Sequence, residues 1–376
     1  MKKIITVIML IFLLVGCANK ELKIENKIEF KEGKEEKIEF KEKKEYKLSL
    51  IMAGDALIHD AVYKDAYIGD NEYDFSDMFE EIRPIIQNYD LAFYNQETII
   101  GGKNLGLSTY PRFNSPEEIG DALIDVGFNI VSLANNHSLD KGEQGIIHSN
   151  QYWRTKDVMV SGTFDSFEDR NKINIQSKNN ISYTLLSYTT STNGIPVPEG
   201  KEYLVNVYND ELVKEDIERV RDEADVIIVS MHWGVEYTHT PTSEQRRIAN
   251  YLAELGADIV VGHHPHVIEP IEFIDDTLVI YSLGNFISAQ IGLPKLVGML
   301  VSVDIIKRDI NDSIEIDIEN VQSELIYTSY SNFRNFKVIP YSKLTDIIFP
   351  NFEEKLQPYI EVIKKEEETI KVNSGI

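Results

Sequence analysis

Short apolar runs in this chain end, one after another, in polar residues that are able to bind metal ions. The apolar run 50–53 ends in Gly54-Asp55, and the run 92–94 ends in Asn95-Gln96-Glu97. Three more runs lead into Asn135-Asn136-His137, His232-Trp233-Gly234 and Gly262-His263-His264-Pro265-His266. In α/β sheets, ligands bind just beyond the carboxyl ends of the strands. The pattern therefore predicts an α/β fold with one shared site at the strand ends.

Amphipathic stretches lie between several of the apolar runs. Ser115-Pro116-Glu117-Glu118 and Ser243-Glu244 are signals that open helices. Strands alternating with helices predict a domain whose helices cover the sheet faces. The segment 278–321 has fewer helical interruptions and predicts hairpins or a second sheet. The predicted strands are Leu48–Ala53, Leu91–Tyr94, Ile130–Leu133, Tyr183–Ser187, Val226–Met231, Ile259–Val261, Leu278–Ser282 and Met299–Ile305.

Composition limits the kind of metal site that the chain can build. A single cysteine excludes intramolecular disulfides and cysteine-rich zinc clusters, so ligands must come from His, Asp, Glu and Asn. Six of the eight histidines lie at or just beyond the strand ends. Each ending taken alone is typical of a helix cap or a turn, but five in chain order favour a shared site. The net charge of −24 repels phosphates, and we expect no nucleic acid partner.

The N-terminus is typical of an exported lipoprotein. Lys2 and Lys3 precede an apolar run, 4–15, that is short for a membrane span but suits a signal peptide. Leu14-Val15-Gly16-Cys17 then resembles a bacterial lipobox. Residues 1–17 are therefore predicted to be a signal peptide ending at a lipidated Cys17, which places the protein outside the cytoplasm and anchors it to the membrane. The alternative is a buried strand with an incidental thiol.

Residues 18–47 are predicted to be a flexible tether. They contain ten Lys and nine Glu, and the segment 27–35 recurs at 37–45 with one change. Their apolar residues have a period of two, and two short repeats cannot bury a core. Fully extended, the tether reaches roughly 100 Å. The remaining chain is predicted to consist of a domain, 48–340, and a helical tail, 341–376, with its helix over Glu353–Val372. Together, residues 48–376 have a net charge of −27.

The strand-end motifs resemble those of the CapA family, which is associated with synthesis or export of capsular poly-γ-glutamate. The family domain is similar to calcineurin-like metallophosphoesterases. The resemblance implies a four-layer α/β/β/α sandwich of the metallo-dependent phosphatase type, with a dinuclear metal centre between two sheets. It runs over Leu48–Ile287 and is carried by Gly54-Asp55, Asn95-Gln96-Glu97, the segment 132–140, the segment 232–237, the segment 262–267 and the segment 282–286.

The chemistry of a dinuclear site assigns roles to these residues. Two divalent ions, Mn, Zn or Fe, about 3.5 to 4 Å apart need a bridging carboxylate and N or O ligands around it. Glu97 stands where the phosphoesterase pattern has its bridging acid, which is Asp in the wider superfamily. His264-Pro265-His266 is expected to form an extended turn, because proline restricts the residue before it. The predicted ligands are Asp55, Glu97, Asn136, His232, His264 and His266.

Several residues receive other roles. His137, beside a ligand, fits a proton donor to a leaving oxygen. His59 is left open as a ligand, because related enzymes begin Asp-x-His whereas His59 follows Asp55 by four residues. Arg112 is assigned either to binding a carboxylate or phosphate of the substrate or to a surface salt bridge. Residues expected to support the ligands from behind are Glu236, Asp140 and Asn285, with Trp233 packing in the core.

Two classes of function remain open at this stage. The first is a surface lipoprotein with a metal-dependent, phosphoesterase-like hydrolase site acting on a phosphorylated or amide-linked substrate in capsule or envelope polymer synthesis. The second is a non-catalytic, metal-stabilised scaffold of a polyglutamate synthase or export complex in the membrane. The acidic domain repels an anionic polymer unless metal ions or a basic groove intervene.

Overall fold

Two mixed β-sheets form the centre of the computed structural model, which describes residues 43–172, 174–310 and 313–376. The predicted signal peptide with Cys17, and the tether as far as residue 42, lie outside the described residues.

The strands and helices follow one another over most of the described chain. The strands are β1 Lys43–Leu57, β2 Tyr67–Gly69, β3 Glu72–Tyr73, β4 Leu91–Asn95, β5 Ile130–Ser132, β6 Met159–Ser161, β7 Ile175–Lys178, β8 Ile181–Thr189, β9 Val226–His232, β10 Ile259–His263, β11 Ile271–Ile274, β12 Thr277–Ile280, β13 Asn285–Ser288, β14 Val297–Ile310, β15 Ser313–Ser331, β16 Arg334–Pro340 and β17 Lys371–Val372. The α-helices are α1 Asp60–Asp65, α2 Arg83–Ile86, α3 Glu118–Val126, α4 Gly142–Trp153, α5 Phe167–Arg170, α6 Asp210–Val220, α7 Ser243–Glu254, α8 Leu293–Leu296 and α9 Phe352–Ile363.

The first sheet has the order β16-β15-β14-β1-β4-β5-β6, with β13 beside β1 and β17 beside β15. The second sheet has the order β11-β12-β10-β9-β8-β7. Strands β1, β4, β5 and β6 are parallel to their neighbours in that series, and so are β8, β9, β10 and β12 in the second sheet. Their carboxyl ends therefore lie at one edge of each sheet.

The alternation of side chains along the central strands produces four layers. In β1, Leu50 and Met52 belong to the core between the sheets, whereas Ile51 packs under the helices of the outer face. In β9, Ile228 faces the first sheet and Val229 faces α6 and α7. Both faces of these strands are buried, which is why they are continuous apolar runs in the sequence. The fold is the predicted four-layer α/β/β/α sandwich.

Strand β1 is longer than predicted. It begins at Lys43, and Lys43–Ser49 pairs with the antiparallel strand β14, so the last five residues of the predicted tether belong to the sheet. The segment 278–321 adds strands to both sheets instead of forming a sheet of its own. Strand β12 joins the second sheet, while β13 to β15 extend the first.

Helix α7 has a different cap from the one predicted. Thr242, one residue earlier than Ser243, accepts a hydrogen bond from the backbone of Gln245, and the Gln245 side chain completes a capping box. Helix α3 begins at Glu118, within the predicted signal.

The C-terminal segment is less helical than predicted and is part of the sandwich. Helix α9 ends at Ile363, and β17 pairs in parallel with β15. Leu356, Tyr359 and Ile363 are buried in the core between the sheets, so α9 caps that core. Among the described helices, none has the length and apolar character needed to cross a bilayer.

Candidate metal centre

The register of the strands brings the predicted ligands to adjacent positions. Asp55 in β1 is paired with Asn95 in β4 on one side and with Asn285 in β13 on the other. In the second sheet, His232 in β9 is paired with His263 in β10. Glu97 and His264 follow β4 and β10 by one or two residues. The carboxyl ends of both sheets therefore supply the site.

The two sheets meet at this edge through direct polar contacts. Ser230 Oγ donates to Ser132 Oγ at 2.9 Å. His232 Nε2 lies 3.1 Å from Asn136 Oδ1, and His232 Nδ1 lies 3.5 Å from Asn95 Nδ2. These bonds fix the distance between the two sheets where the ligands converge.

Carboxylate and imidazole groups face one another in the centre of the cluster. His266 Nδ1 lies 3.3 Å from Asp55 Oδ2, and His266 Nε2 lies 3.6 Å from Glu97 Oε1. His232 Nε2 is also 3.6 Å from Glu97 Oε1. Three overlapping sets have ligand atoms close enough to share one ion: Asp55, Glu97 and His266; Glu97, His232 and His264; Glu236, His264 and His266. Glu97, His264 and His266 each belong to two of the sets, and Glu97 is the carboxylate among them.

Several buried polar atoms of the cluster make no hydrogen bond with any residue that the structure describes. They include both carboxylate oxygens of Glu97 and Nδ1 of His264. Glu97 is 0% exposed, and an unpaired buried carboxylate is one of the most costly groups in a folded protein. The chemistry of these orphaned atoms is that of ligands for a divalent cation, so the residues fit a metal centre.

The pKa values of the two buried carboxyl groups are shifted in opposite directions. Burial would raise the pKa of Asp55, but the neighbouring His263 and His266 outweigh burial and hold it well below its usual range. Burial raises the pKa of Glu97 well above its usual range, against the attraction of His266. Two carboxylates this close need positive charge between them.

The pKa values of the imidazoles are also shifted in opposite directions. Burial lowers the pKa of His232 well below its usual range and that of His264 to about 4, so both rings are neutral and able to bind a cation. For His266, burial is overcome by Glu97 and Asp55, which raise its pKa to about 9. A cation bound to the ring would displace that proton, because a metal ligand must be neutral.

The turn that carries His264 and His266 is not extended, and the sequence-based expectation for it is wrong. His264 has a φ of 97° and His266 a φ of 59°, both in the left-handed region. Such values are strained for a residue with a bulky side chain and cluster at functional sites. The His264 amide lies 3.3 Å from Asp55 Oδ2, which holds the turn against the first sheet.

His137 forms a pair with Asp140 at the border of the cluster. His137 Nδ1 lies 2.7 Å from Asp140 Oδ2, and the amide of Phe113 donates to the same oxygen at 2.6 Å. An ionised Asp140 only accepts, so Nδ1 of His137 carries a hydrogen and Nε2 is left for proton transfer. The ring of Phe113 packs edge-on against His137, 4.7 Å between centroids.

The remaining predicted residues lie near the cluster in different roles. His59 is outside the three ligand sets; its ring packs against Phe113, and burial lowers its pKa to about 4. Asn285 Oδ1 lies 3.1 Å from His266 Nδ1, as expected for a supporting residue. Trp233 stacks on Tyr281 in the core, as predicted. Arg112 is exposed, and its side chain forms no salt bridge with the residues that the structure describes.

Sequence reasoning missed two supporting residues. His263 is fully buried, and its Nδ1 lies 3.3 Å from Asp55 Oδ1, behind the cluster. Its position directly after a buried strand was a usable signal. Glu269, also 0% exposed, accepts a hydrogen bond from Gln245 Nε2 at 2.6 Å, and a side chain on Gly234 would collide with Gln245. This pair braces the loops after β9 and β10, and no sequence pattern pointed to it.

Fold and site together define an α/β sandwich protein with a candidate metal centre at the strand ends of two packed sheets. Residues 49–290 match the family described as bacterial capsule synthesis protein PGA_cap. The match covers well over half of the chain, and the chain belongs to this family. The predicted membership of the CapA family is confirmed.

Individual relatives agree with the family match. The chain is 31% identical over 223 residues to the PGA biosynthesis protein CapA of Bacillus subtilis, covering 57% of each chain. It is 28% identical over 257 residues to the capsule biosynthesis protein CapA of Bacillus anthracis, covering 65% of this chain and 60% of the relative. The chain thus spans less than two thirds of these relatives.

Among solved structures, a putative 5'-nucleotidase from Staphylococcus aureus superposes with a TM-score of 0.46 at 13% identity, covering 84% of this chain and 58% of that one.

The orphaned donors predict that the protein retains divalent metal when it is purified without chelator. The double variant His264→Ala/His266→Ala removes donors from all three ligand sets and should lose that metal, measured by elemental analysis. The matched control is His148→Ala/His239→Ala, because these histidines bond to Glu117 and to the Ile268 carbonyl, outside the ligand sets. Equal metal content in the two double variants would contradict the prediction.

Glu269 predicts a specific pH dependence of stability. Burial raises its pKa from 4.5 to about 8, so its contribution to stability is fully present below pH 4.5 and is lost as the pH rises to about 8. Glu269→Gln removes this loss. We expect the variant to match the wild type near pH 5 and to exceed it by about 1–3 kcal/mol at pH 9, measured by denaturant unfolding in chelator. Glu211→Gln, at an exposed position of α6, controls for the change in net charge. Parallel pH profiles for wild type and Glu269→Gln would disprove this account.

Proposed function

We propose that the protein is a metal-dependent hydrolase of capsule or envelope polymer synthesis, acting on a phosphorylated or amide-linked substrate. The observation that carries the proposal is the buried cluster of unpartnered ligand atoms with a His137–Asp140 pair at its border. A structural metal site needs the first of these but not the second. The names of the relatives, which refer to PGA and capsule biosynthesis, support the biological setting.

The residues that would hold two divalent ions are Asp55, Glu97, Asn136, His232, His264 and His266, and Glu97 would be their shared carboxylate. About two ions of Mn, Zn or Fe are expected per chain. When bound, such ions polarise the group to be cleaved and lower the pKa of water. Asp55 and the neutral rings of His232 and His264 would hold the ions in position. Asn285 holds the His266 ring in place.

His137 supplies the proton in this proposal. Asp140 keeps the Nδ1 hydrogen in place and stabilises the positive charge of a protonated ring, so Nε2 donates its proton to the departing oxygen or nitrogen. Phe113 covers one edge of the ring and limits its exposure to water. Water provides the hydroxyl that adds to the cleaved group, so the reaction is a hydrolysis.

The position at the cell surface is the second part of the proposal. The lysine pair, the apolar run and Leu14-Val15-Gly16-Cys17 support a lipid anchor at Cys17, with the tether separating the domain from the membrane. One acyl chain binds membranes weakly, so a multiply acylated N-terminus is expected. Membrane proteins that synthesise or export polyglutamate are the proposed partners.

His137→Ala separates an enzyme from a scaffold. The ligands are all retained, so we expect folding and metal content close to wild type, while turnover falls by roughly 10² to 10⁴ for loss of a general acid. The loss should be smaller for p-nitrophenyl esters, whose leaving group needs no proton, than for alkyl esters. The measurements are hydrolysis of a phosphoester and γ-glutamyl amide panel, and complementation of capsule formation.

The control for His137→Ala is His264→Ala, which removes a donor from two ligand sets and should lower both metal content and turnover. Full complementation by His137→Ala, together with no hydrolysis by the wild type, would contradict the proposed enzyme and favour the metal-stabilised scaffold.

Cys17→Ser tests the anchor. The wild type should fractionate with membranes and carry lipid on Cys17, and globomycin, which blocks lipoprotein signal cleavage, should cause the precursor to accumulate. The variant should lose the lipid and stay unprocessed by that pathway. Equal cytosolic fractionation of wild type and variant would show that the lipoprotein interpretation is wrong.

A further inference from the structure

Glu236 is the only exposed residue in the three ligand sets of the metal centre. Its carboxylate belongs to the set with His264 and His266, in which the three ligand atoms lie within 4.8 Å of one another. The other two carboxylates of the sets, Asp55 and Glu97, are 0% exposed. Glu236 therefore approaches the two histidines from the solvent side of the cluster.

Two backbone hydrogen bonds hold the loop after β9 beside the turn that carries these histidines. The Trp233 amide donates to the His263 carbonyl at 3.1 Å, and the Tyr237 amide donates to the Pro265 carbonyl at 2.8 Å. Glu236 directly precedes Tyr237, so the main chain on both sides of it is fixed against the turn. The proximity of its carboxylate to the histidines is thus set by the backbone.

No basic side chain neutralises this carboxylate. Within residues 43–172, 174–310 and 313–376, no lysine or arginine forms an ion pair with Glu236. The nitrogen atoms gathered around it are those of His264 and His266. A carboxylate that faces two imidazoles without an ammonium or guanidinium partner has the chemistry of a ligand for a divalent cation.

The two ligand sets that share Glu97 differ in their number of donors. The first has three donors: Asp55, Glu97 and His266. The second has three of its own and gains a fourth from Asn136, because Asn136 Oδ1 lies 3.1 Å from His232 Nε2. The first position therefore has room for one more protein ligand. Glu236 shares a set with His266, so it is the carboxylate available there.

We infer that Glu236 is a ligand of the ion bound at His266, and that it makes this position richer in oxygen ligands than the other. The inference rests on the proposed function only for the presence of two ions. With Glu236, the first position has three carboxylates and one imidazole, whereas the second has one carboxylate, one amide and two imidazoles. Carboxylates suit Mn²⁺ and imidazoles suit Zn²⁺. The first position should therefore favour Mn²⁺ relative to the second.

The test is a metal titration of the full chain, purified in detergent and stripped with chelator, in which free Mn²⁺ is followed by electron paramagnetic resonance. The wild type should bind two ions. In Glu236→Gln, one of the two should bind roughly tenfold more weakly or worse, and the other within about twofold of the wild type. Glu236→Asp, which keeps the carboxylate on a shorter side chain, should recover part of the loss.

Ligation has to be separated from the loss of a negative charge, which weakens cation binding through space. In 1 M salt the Debye length is about 3 Å, so the effect through space is screened while the loss of a ligand is not. The difference between wild type and Glu236→Gln should therefore persist in 1 M KCl. The matched control is Glu211→Gln, which removes the same charge at an exposed position outside the ligand sets. A difference that vanishes in 1 M KCl, or an equal loss in the control, would overturn the inference.

Mn²⁺ and Zn²⁺ supplied together test the preference of the two positions. With one equivalent of each ion per chain, the wild type should retain both in elemental analysis, and Glu236→Gln should lose Mn²⁺ in preference to Zn²⁺. Loss of Zn²⁺ with retention of Mn²⁺ would overturn the assignment of Glu236 to the position at His266.

Metal binding and hydrolysis are measured separately in Glu236→Gln. Loss of one ion supports the inference even if the wild type hydrolyses no substrate, a result that would contradict the proposed enzyme. Wild-type binding of both ions would overturn the inference even if hydrolysis is found. In chelator, the variant should unfold like the wild type, because Glu236 is exposed. Marked instability in chelator would give Glu236 a structural role and overturn its assignment as a ligand.

Discussion

The structure depends on keeping two carboxylates, Asp55 and Glu97, out of water at the meeting point of two sheets. Both are 0% exposed, and burying a charge without compensation costs several kcal/mol. Imidazoles and amides from both sheets surround them, yet both oxygens of Glu97 remain without a hydrogen bond. Asp55 and Glu97 raise the pKa of the neighbouring His266, which shows how strongly this pocket favours positive charge. A cation bound between the two carboxylates would offset the cost of burying them. The strands around the site hold both carboxylates where such a cation would bind.

Close backbone approaches make that placement geometrically feasible. A side chain on Gly54 would come within 1.9 Å of the Gly284 carbonyl oxygen, and one on Gly262 within 1.9 Å of the Tyr281 carbonyl oxygen. These glycines directly precede Asp55 and His263. The loop before β13 can therefore lie against both sheets, and Asn285 reaches His266. The left-handed turn at His264 and His266 is strained, and this packing holds it in place.

From the inside outwards, the site changes from fully buried carboxylates to a partly exposed border. Asp55 and Glu97 are 0% exposed, and His137 beside them is 6% exposed. A desolvated centre next to a side chain that exchanges protons is the order that the proposed hydrolase requires. Membership of a capsule synthesis family agrees with that interpretation, and the lipid anchor proposed at Cys17 would place the site outside the cell.

The order of residues along the chain predicted the strands of the parallel core and the polar residues at their ends. Burial on both faces and polar strand ends leave signals in the local sequence. Asp55, Glu97, His232 and His266 could therefore be assigned to one site before any coordinates were known, and the sandwich followed from the family resemblance. The long-range contacts left no such signal. The pairing of β13 with β1, the capping of the core by α9, the positive φ of His264 and the burial of Glu269 against Gln245 each depend on residues distant in the chain. Only the packed tertiary structure decides them, since register and packing are settled by the shape of the whole core and not by the periodicity of any one segment.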